Sequence, residues 1–303
     1  MLTRETGGQF RWSAMHSPVQ LQLPGMDDLP ALAVARAVVH DFEVSEQALS
    51  RFCPSAELVQ LNAVPARWTR VSPRLYTALS TAFRAYRRTG GLFDPRVLER
   101  LEALGYAGAP HPSGPFATGQ AWLERRPRPR EVRACAALDL GGIGKGLGVR
   151  WAARIVARVA RNFLLNAGGD LVVAGEGPDG RGWQVGIEDP QRKEDIVAVL
   201  RLPERGAVCT SSIAVHRWLQ GDTFVHHLLD PRTGEPGGQG LLAVTVVARD
   251  PAWAEVSSKV LFLHGRGAIA QACTGQAALW IASDGEIGMS DAMRPFVIWR
   301  RRG

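Results

Sequence analysis

Residues 163–174 read Phe163-Leu-Leu-Asn166-Ala-Gly-Gly-Asp170-Leu-Val-Val-Ala174. Two short apolar runs, Phe163–Leu165 and Leu171–Ala174, flank a stretch of Asn, Gly and Asp, the residue types that accept tight-turn backbone conformations. No helix intervenes, and parallel strands require a long crossover, so this pair is expected to be antiparallel. The pattern continues through Trp183–Ile187, Ile196–Leu202, Ala207–Thr210, Thr223–Leu228 and Leu242–Ala248, each bounded by turn residues. A last hairpin is expected around Asp284-Gly285.

Helical signals lie on either side of this run. From Asp27 to about Ser50, Leu29, Leu32, Val38, Phe42 and Leu49 recur at helical spacing. Ser72 and Pro73 open a second helix with Leu75, Leu79, Ala82 and Tyr86 on one face, and Arg87, Arg88 and Gly90-Gly91 close it. A third runs from the glycines at 141–146 to about Ala160 through Leu147, Trp151, Ile155 and Val159, and a fourth from about Trp253 to His264. The expected fold class is α+β, with mainly antiparallel sheets and flanking helices in one domain across residues 1–303. Residues 105–137 read as an irregular Pro/Arg-rich insertion.

Composition narrows the function. The 303 residues are 46% hydrophobic and 21% charged, ordinary for a protein with a sizeable core. No apolar run is long enough for a membrane span. The N-terminus has no apolar signal region, so a cytoplasmic location is expected, or an exported or periplasmic one if the true start lies upstream. Four separated cysteines form no CxxC pair and suggest no zinc or disulfide framework. The net charge of +7 is spread along the chain. Its one dense patch, Arg125-Arg126-Pro127-Arg128-Pro129-Arg130, reads as a solvated Pro-rich loop, and no nucleic-acid partner is expected. Only three of the 36 basic residues are lysines: Lys145, Lys193 and Lys259.

Four constellations carry chemical groups. Asp139-Leu-Gly-Gly-Ile-Gly-Lys145-Gly146 takes a short strand through glycines into a helix, an arrangement that can present amides to phosphate. It fits neither the P-loop nor the dinucleotide fingerprint, so a phosphate or metal loop and a plain tight turn both remain open. Asn166–Asp170 reads as a Gly-rich turn or a site loop. His226-His227 precede the turn Asp230-Pro-Arg-Thr233-Gly and can supply a base or ligand; on a strand only one of the pair faces a given site. Glu255, Ser258, Lys259 and Phe262 share one helix face, which suits either a cation site or a simple Glu–Lys pair.

In this order, these segments resemble the ApbE family, the FAD:protein FMN transferases. The resemblance also rests on Met15-His16-Ser17, Leu49-Ser50-Arg51-Phe52, Ser55-Ala-Glu57-Leu58 with Leu61-Asn62, and Thr89-Gly-Gly-Leu92-Phe93-Asp94-Pro95. Further matches are Trp183 with Gly186-Ile187 and Pro190, Thr210-Ser211-Ser212, and His227-Leu-Leu229-Asp-Pro-Arg-Thr-Gly234 with Pro236. The resemblance implies an enzyme that uses FAD as substrate and Mg²⁺ as cofactor. Such an enzyme moves FMN onto a Thr or Ser hydroxyl of an acceptor flavoprotein and releases AMP. It assigns Met15, Phe52, Leu92, Phe93, Asp94, Asp139, Lys145 and Leu229 to the flavin nucleotide and His227 to catalysis. The metal would use the Gly142 carbonyl with Glu255, Ser258 and position 259.

The sequence departs from the family at the metal. The family usually has Asp at position 255 and Thr at position 259, where this chain has Glu255 and Lys259. A protonated lysine cannot ligate. Two unit charges 4 Å apart at an effective dielectric near 20 repel by about 4 kcal/mol. Two alternatives therefore stand beside transfer: FAD binding with transfer lost, and hydrolysis of FAD to FMN and AMP. His16-Ser17 also replaces the family's Gly-Thr.

Overall fold

The computed structural model describes residues 2–5, 7–109, 122–192, 194–214 and 216–301. The chain opens with the strands β1 (Thr3–Glu5), β2 (Gln9–Ala14) and β3 (Ser17–Gln22), then the helices α1 (Asp28–Leu49) and α2 (Glu57–Asn62). A short strand β4 (Thr69–Arg70) precedes α3 (Pro73–Arg88) and α4 (Leu98–Ala103). The hairpin β5 (Leu123–Pro127) and β6 (Arg130–Ala134) leads to α5 (Gly144–Val156). Strands follow as β7 (Phe163–Ala167), β8 (Asp170–Ala174), β9 (Trp183–Glu188), β10 (Ile196–Leu202) and β11 (Gly206–Ser212). Next come β12 (Arg217–Gln220), β13 (Thr223–His226), β14 (Leu229–Asp230), β15 (Glu235–Pro236) and β16 (Leu241–Ala248). The helices α6 (Pro251–Leu263) and α7 (Arg266–Ala272) precede β17 (Ala277–Ala282), β18 (Ile287–Met289) and β19 (Val297–Arg300).

The main sheet has nine strands in the order β1-β2-β3-β7-β8-β11-β16-β17-β18. All of its pairings are antiparallel, as the 163–174 stretch predicts; there Phe163 pairs with Ala174 and Ala167 with Asp170. Alternate residues face opposite sides, so each face has its own core. One face carries Leu171, Val173, Val208, Ala243, Val247, Leu279 and Ile281, which pack against β9 and β10. Those two strands form a small sheet with β19. The other face carries Leu165, Ala167 and Val172 against α1 and α5, and Val244, Val246 and Ala278 against α6. Helices on one face and a second sheet on the other make the α+β architecture.

Helix boundaries follow local chemistry. Ser72 caps α3 by accepting from the Leu75 N–H at 3.1 Å, with Pro73 at the first helical position. Leu29, expected on the apolar face of α1, is 81% exposed. The buried stripe runs through Ala31, Ala35, Val38 and Phe42, and at ~100° per residue Leu29 falls on the opposite side. Val159, expected on the apolar face of the third helix, is exposed because α5 ends at Val156.

Part of the 105–137 stretch is regular. Residues 110–121 lie outside the described residues, as does Lys193. Beyond them Trp122, Leu123, Val132 and Ala134 are buried, and β6 pairs with both β4 and β5. The arginine-rich patch therefore forms the outer side of a hairpin, not a loop. Arg125 lies over the Phe83 ring and Arg126 over Trp68, with guanidinium-to-centroid distances of 4.7 and 3.8 Å.

Candidate active site

The glycine-rich turn Asp139–Ile143 is held by side chains, not by a strand ladder. The buried Asn62 donates to the Leu138 carbonyl at 2.9 Å and accepts from the Leu138 N–H at 3.0 Å. The next residue, Asp139, is buried; it accepts from the Gly141 N–H at 2.5 Å and faces the buried Arg51 guanidinium at 3.3 Å. Arg51 also donates to the Tyr106 carbonyl at 3.0 Å.

Helix α5 begins directly after this turn and crosses α6 at close range. A Cβ on Gly146 would lie 2.6 Å from the Pro251 carbonyl oxygen and 2.7 Å from the Ala252 Cα, so only glycine permits the approach. That approach lets the buried Glu255 carboxylate accept from the Gly146 N–H at 2.8 Å. Lys145 makes an ion pair with the buried Asp170 and lies 3.8 Å from Glu255. Burial alone would lower the Lys145 pKa, but the Asp170 and Glu255 charges outweigh it and hold it above its ordinary value. Burial pushes Glu255 up to about 7 against the pull of Lys145.

The two hydroxyls near Glu255 are already engaged. The Ser258 and Ser211 Oγ atoms are 2.9 Å apart, and the Ser258 hydroxyl is 3.0 Å from the Glu255 carbonyl oxygen. Lys259, one residue on, crosses the face of Gly142: a Cβ there would lie 2.8 Å from its Cε and 3.0 Å from the Phe93 ring. Among the described residues Lys259 has no hydrogen-bond or ion-pair partner. Burial lowers its pKa, opposed by Glu255 and assisted by Lys145.

His226 ends β13, and His227 follows it into the turn. His227 Nδ1 lies 3.3 Å from the His216 carbonyl oxygen. A carbonyl only accepts, so Nδ1 carries the proton and Nε2 keeps its lone pair. Burial, then the charges of Lys259 and His216, hold His227 well below the ordinary imidazole pKa. It is therefore a neutral base near pH 7. The His216 and His227 rings are 5.1 Å apart. Tyr106 joins them to the opposite wall: it stacks on Trp218 at 5.2 Å and meets Phe52 at 5.9 Å.

The structure thus brings Phe93, Asp139, Gly142, Lys145, Glu255, Ser258 and Lys259 together. His227 stands close enough to feel the Lys259 charge. Phe52 lies at the rim against His16, with ring centroids 5.0 Å apart. Met15 lies over the start of α5, where its sulfur is 3.2 Å from a Cβ built on Gly148. Asp94 caps the turn Pro95–Val97 by accepting from the Arg96 N–H at 2.9 Å and pairs with the Arg96 guanidinium at 2.6 Å. Leu92 is buried among Leu228, Val244 and Phe262, and Leu229 among Leu101 and Leu104. Sequence reasoning gave no site role to Arg51, Tyr106 or His216, and left Asp170 between a turn and a site loop.

A metal fits this donor set poorly. One Glu255 oxygen holds the Gly146 amide and the other lies toward Lys145, the Ser258 hydroxyl is hydrogen-bonded, and the Lys259 stem covers Gly142. No group of three or more His, Cys, Asp or Glu side chains able to hold a metal occurs among the described residues. The four positions expected to bind Mg²⁺ are adjacent, but an ammonium stands where a ligand is needed.

Residues 15–280 match the sequence model of the ApbE family. The chain belongs to the ApbE family. A curated relative from Escherichia coli K12, named FAD:protein FMN transferase, is 24% identical over 273 residues, covering 82% of this chain and 73% of that protein. One from Haemophilus influenzae with the same name is 30% identical over 131 residues, covering 42% of this chain and 38% of that protein. Among solved structures, the ApbE protein of Thermotoga maritima superposes over both full chains with a TM-score of 0.84 at 24% identity. The flavin transferase ApbE of Vibrio cholerae has a TM-score of 0.77 at 22% identity, covering 95% of this chain and 99% of that one. The antiparallel α+β arrangement is thus the ApbE fold. No helix among the described residues is long and apolar enough to cross a membrane.

Proposed function

We propose that this ApbE-family chain, acting as one domain, transfers FMN from FAD to a Thr or Ser hydroxyl of an acceptor flavoprotein and releases AMP. The observation that carries this reading is His227. Its Nδ1 is fixed on the His216 carbonyl, its Nε2 has no hydrogen-bond partner among the described residues, and the Lys259 charge acts on it. FAD would lie across the glycine turn, with its pyrophosphate toward the two ammonium groups. The aromatic wall of Phe52 and Tyr106 and the Met15 thioether would then border the rings.

In the reaction, His227 Nε2 takes the proton of the acceptor hydroxyl. The oxygen attacks the phosphorus on the flavin side, the bridging P–O bond breaks, and AMP leaves with the bridging oxygen. The charge that builds on the phosphate oxygens is met by fixed ammonium groups. Asp170 and Glu255 keep Lys145 protonated, and Asp139 and Arg51 hold the turn in shape.

The test mixes the protein with FAD and a flavin-acceptor domain and follows covalent flavin by in-gel fluorescence. Wild type labels the acceptor. His227→Ala binds FAD but labels roughly a hundredfold or more slowly, the usual cost of losing a general base. Bound FAD with no labelling of any acceptor by wild type refutes transfer. AMP released without an acceptor indicates hydrolysis instead.

A further inference from the structure

Building on the flavin-transferase reading, we propose that Lys259 takes the place of a divalent cation, so that FAD binds through two ammonium groups without metal. Three observations support this. First, the acids around the turn are already matched: Asp139 with Arg51, Asp170 with Lys145, and Glu255 with the Gly146 amide and Lys145. Of the cations Arg51, Lys145 and Lys259, only Lys259 has no ion pair among the described residues. A partly buried, unpaired ammonium is costly, and an anion delivered by a ligand relieves that cost.

Second, the side chain is directed, not loose. Its Cε lies over Gly142, 2.8 Å from where a Cβ on that residue would stand, with the Phe93 ring 3.0 Å from the same point. The charge is thereby carried across the turn that leads into α5. Third, the metal's own donors already have partners within the protein. The Glu255 carboxylate and the Ser258 hydroxyl have protein partners. A divalent ion would have to displace these and also sit beside a like charge.

The test is FAD binding, read by quenching of flavin fluorescence and independent of transfer. Wild type is expected to bind FAD with the same affinity, within about twofold, in EDTA and in millimolar Mg²⁺. Lys259→Met keeps the stem and removes the charge, and should weaken binding in EDTA about ten- to a hundredfold, as loss of a charged hydrogen bond does. Lys259→Arg should retain most of the affinity. Thermal melting of each variant verifies folding, and the EDTA comparison on wild type needs no variant. Wild-type binding that strengthens more than about tenfold with Mg²⁺ overturns the inference alone. So does unaltered binding by a folded Lys259→Met. Failure to bind FAD under every condition overturns the functional reading, and this inference with it.

Discussion

Asn62 lies on α2, remote in sequence from the glycine turn, yet it performs the work of a neighbouring strand. Its side chain gives Leu138 both a donor and an acceptor, at 2.9 and 3.0 Å, and is 3% exposed. Asn62→Ala removes both bonds and leaves a buried N–H and a buried C=O unsatisfied. Each such orphan costs about 1–3 kcal/mol, so the expected loss is about 2–6 kcal/mol. At about 2–4 °C per kcal/mol for a chain of this size, the melting temperature should fall by roughly 4–24 °C. Circular dichroism on heating measures it. Asn62→Asp should also destabilise, because the carboxylate still accepts from the Leu138 N–H but repels the carbonyl. Its deficit should shrink in acid, where the protonated side chain can donate. The variant should also bind FAD more weakly, since Asp139 directly follows Leu138. A melting point within about 1 °C of wild type for Asn62→Ala would show that water or a backbone shift replaces the side chain, and refute the reasoning.

Other consequences follow from the same geometry. His216, His226, His227 and His264 all titrate below the ordinary 6.5, with burial the largest cause, and His226 is lowered to about 4. In the unfolded chain these rings take up protons near 6.5 while the folded ones resist, so stability is full above pH 7 and falls as pH drops through 6.5. His226 alone should account for about 1 kcal/mol by pH 5.5, allowing for its partial exposure; urea unfolding at pH 7.5 and 5.5 measures the sum. Transfer should likewise persist at lower pH than an ordinary histidine base allows, with the acid limb of kcat/KM displaced below the ordinary imidazole range. Gly146→Ala places a Cβ 2.6 Å from the Pro251 oxygen and should cost about 1–3 kcal/mol and separate Glu255 from the turn. A Gly146→Ala variant as stable as wild type would mean that α5 and α6 part without penalty.

The sequence made the regular parts of the fold legible where one periodicity dominated. The run from Phe163 to Ala248 shows strands because turns punctuate it, and α3 shows itself through Ser72, Pro73 and Gly90-Gly91. The N-terminal meander did not emerge. Its alternation of Phe10, Trp12 and Ala14 with exposed polar residues is a strand signal, but a brief one. The hairpin of β5 and β6 was hidden by Pro and Arg, because an edge strand tolerates both.

The site was legible as separate motifs, and the resemblance, not the spacing, tied them together. Tyr106, which connects the Phe52 wall to His227, sits at the edge of the Pro/Arg-rich stretch with no motif around it. Asp170 appeared as a turn residue. Its ion pair with Lys145 depends on where β8 passes beneath α5, and pairing across a fold leaves no local pattern.

One chain of contacts brings Glu255, Ser258 and Lys259 to the same turn. Gly146 lets α6 approach α5 closely enough for the Glu255 carboxylate to take the Gly146 amide at 2.8 Å. Residues three and four along a helix share its face. Ser258 and Lys259 are therefore presented to the same turn as Glu255. Ser258 donates its hydroxyl to the Glu255 carbonyl and pairs with the Ser211 hydroxyl, across to β11. Lys259 lies over Gly142, its Cε 2.8 Å from where a Cβ on that residue would stand. An acid turned toward an amide, a hydroxyl bonded within the fold and an ammonium over the glycine turn each remove one ligand from a metal. Together they leave a positive charge facing the place where a pyrophosphate would sit. If Lys259 does take the place of a metal, the Glu255 carboxylate and the Ser258 hydroxyl are free to serve the fold instead, and both have protein partners here.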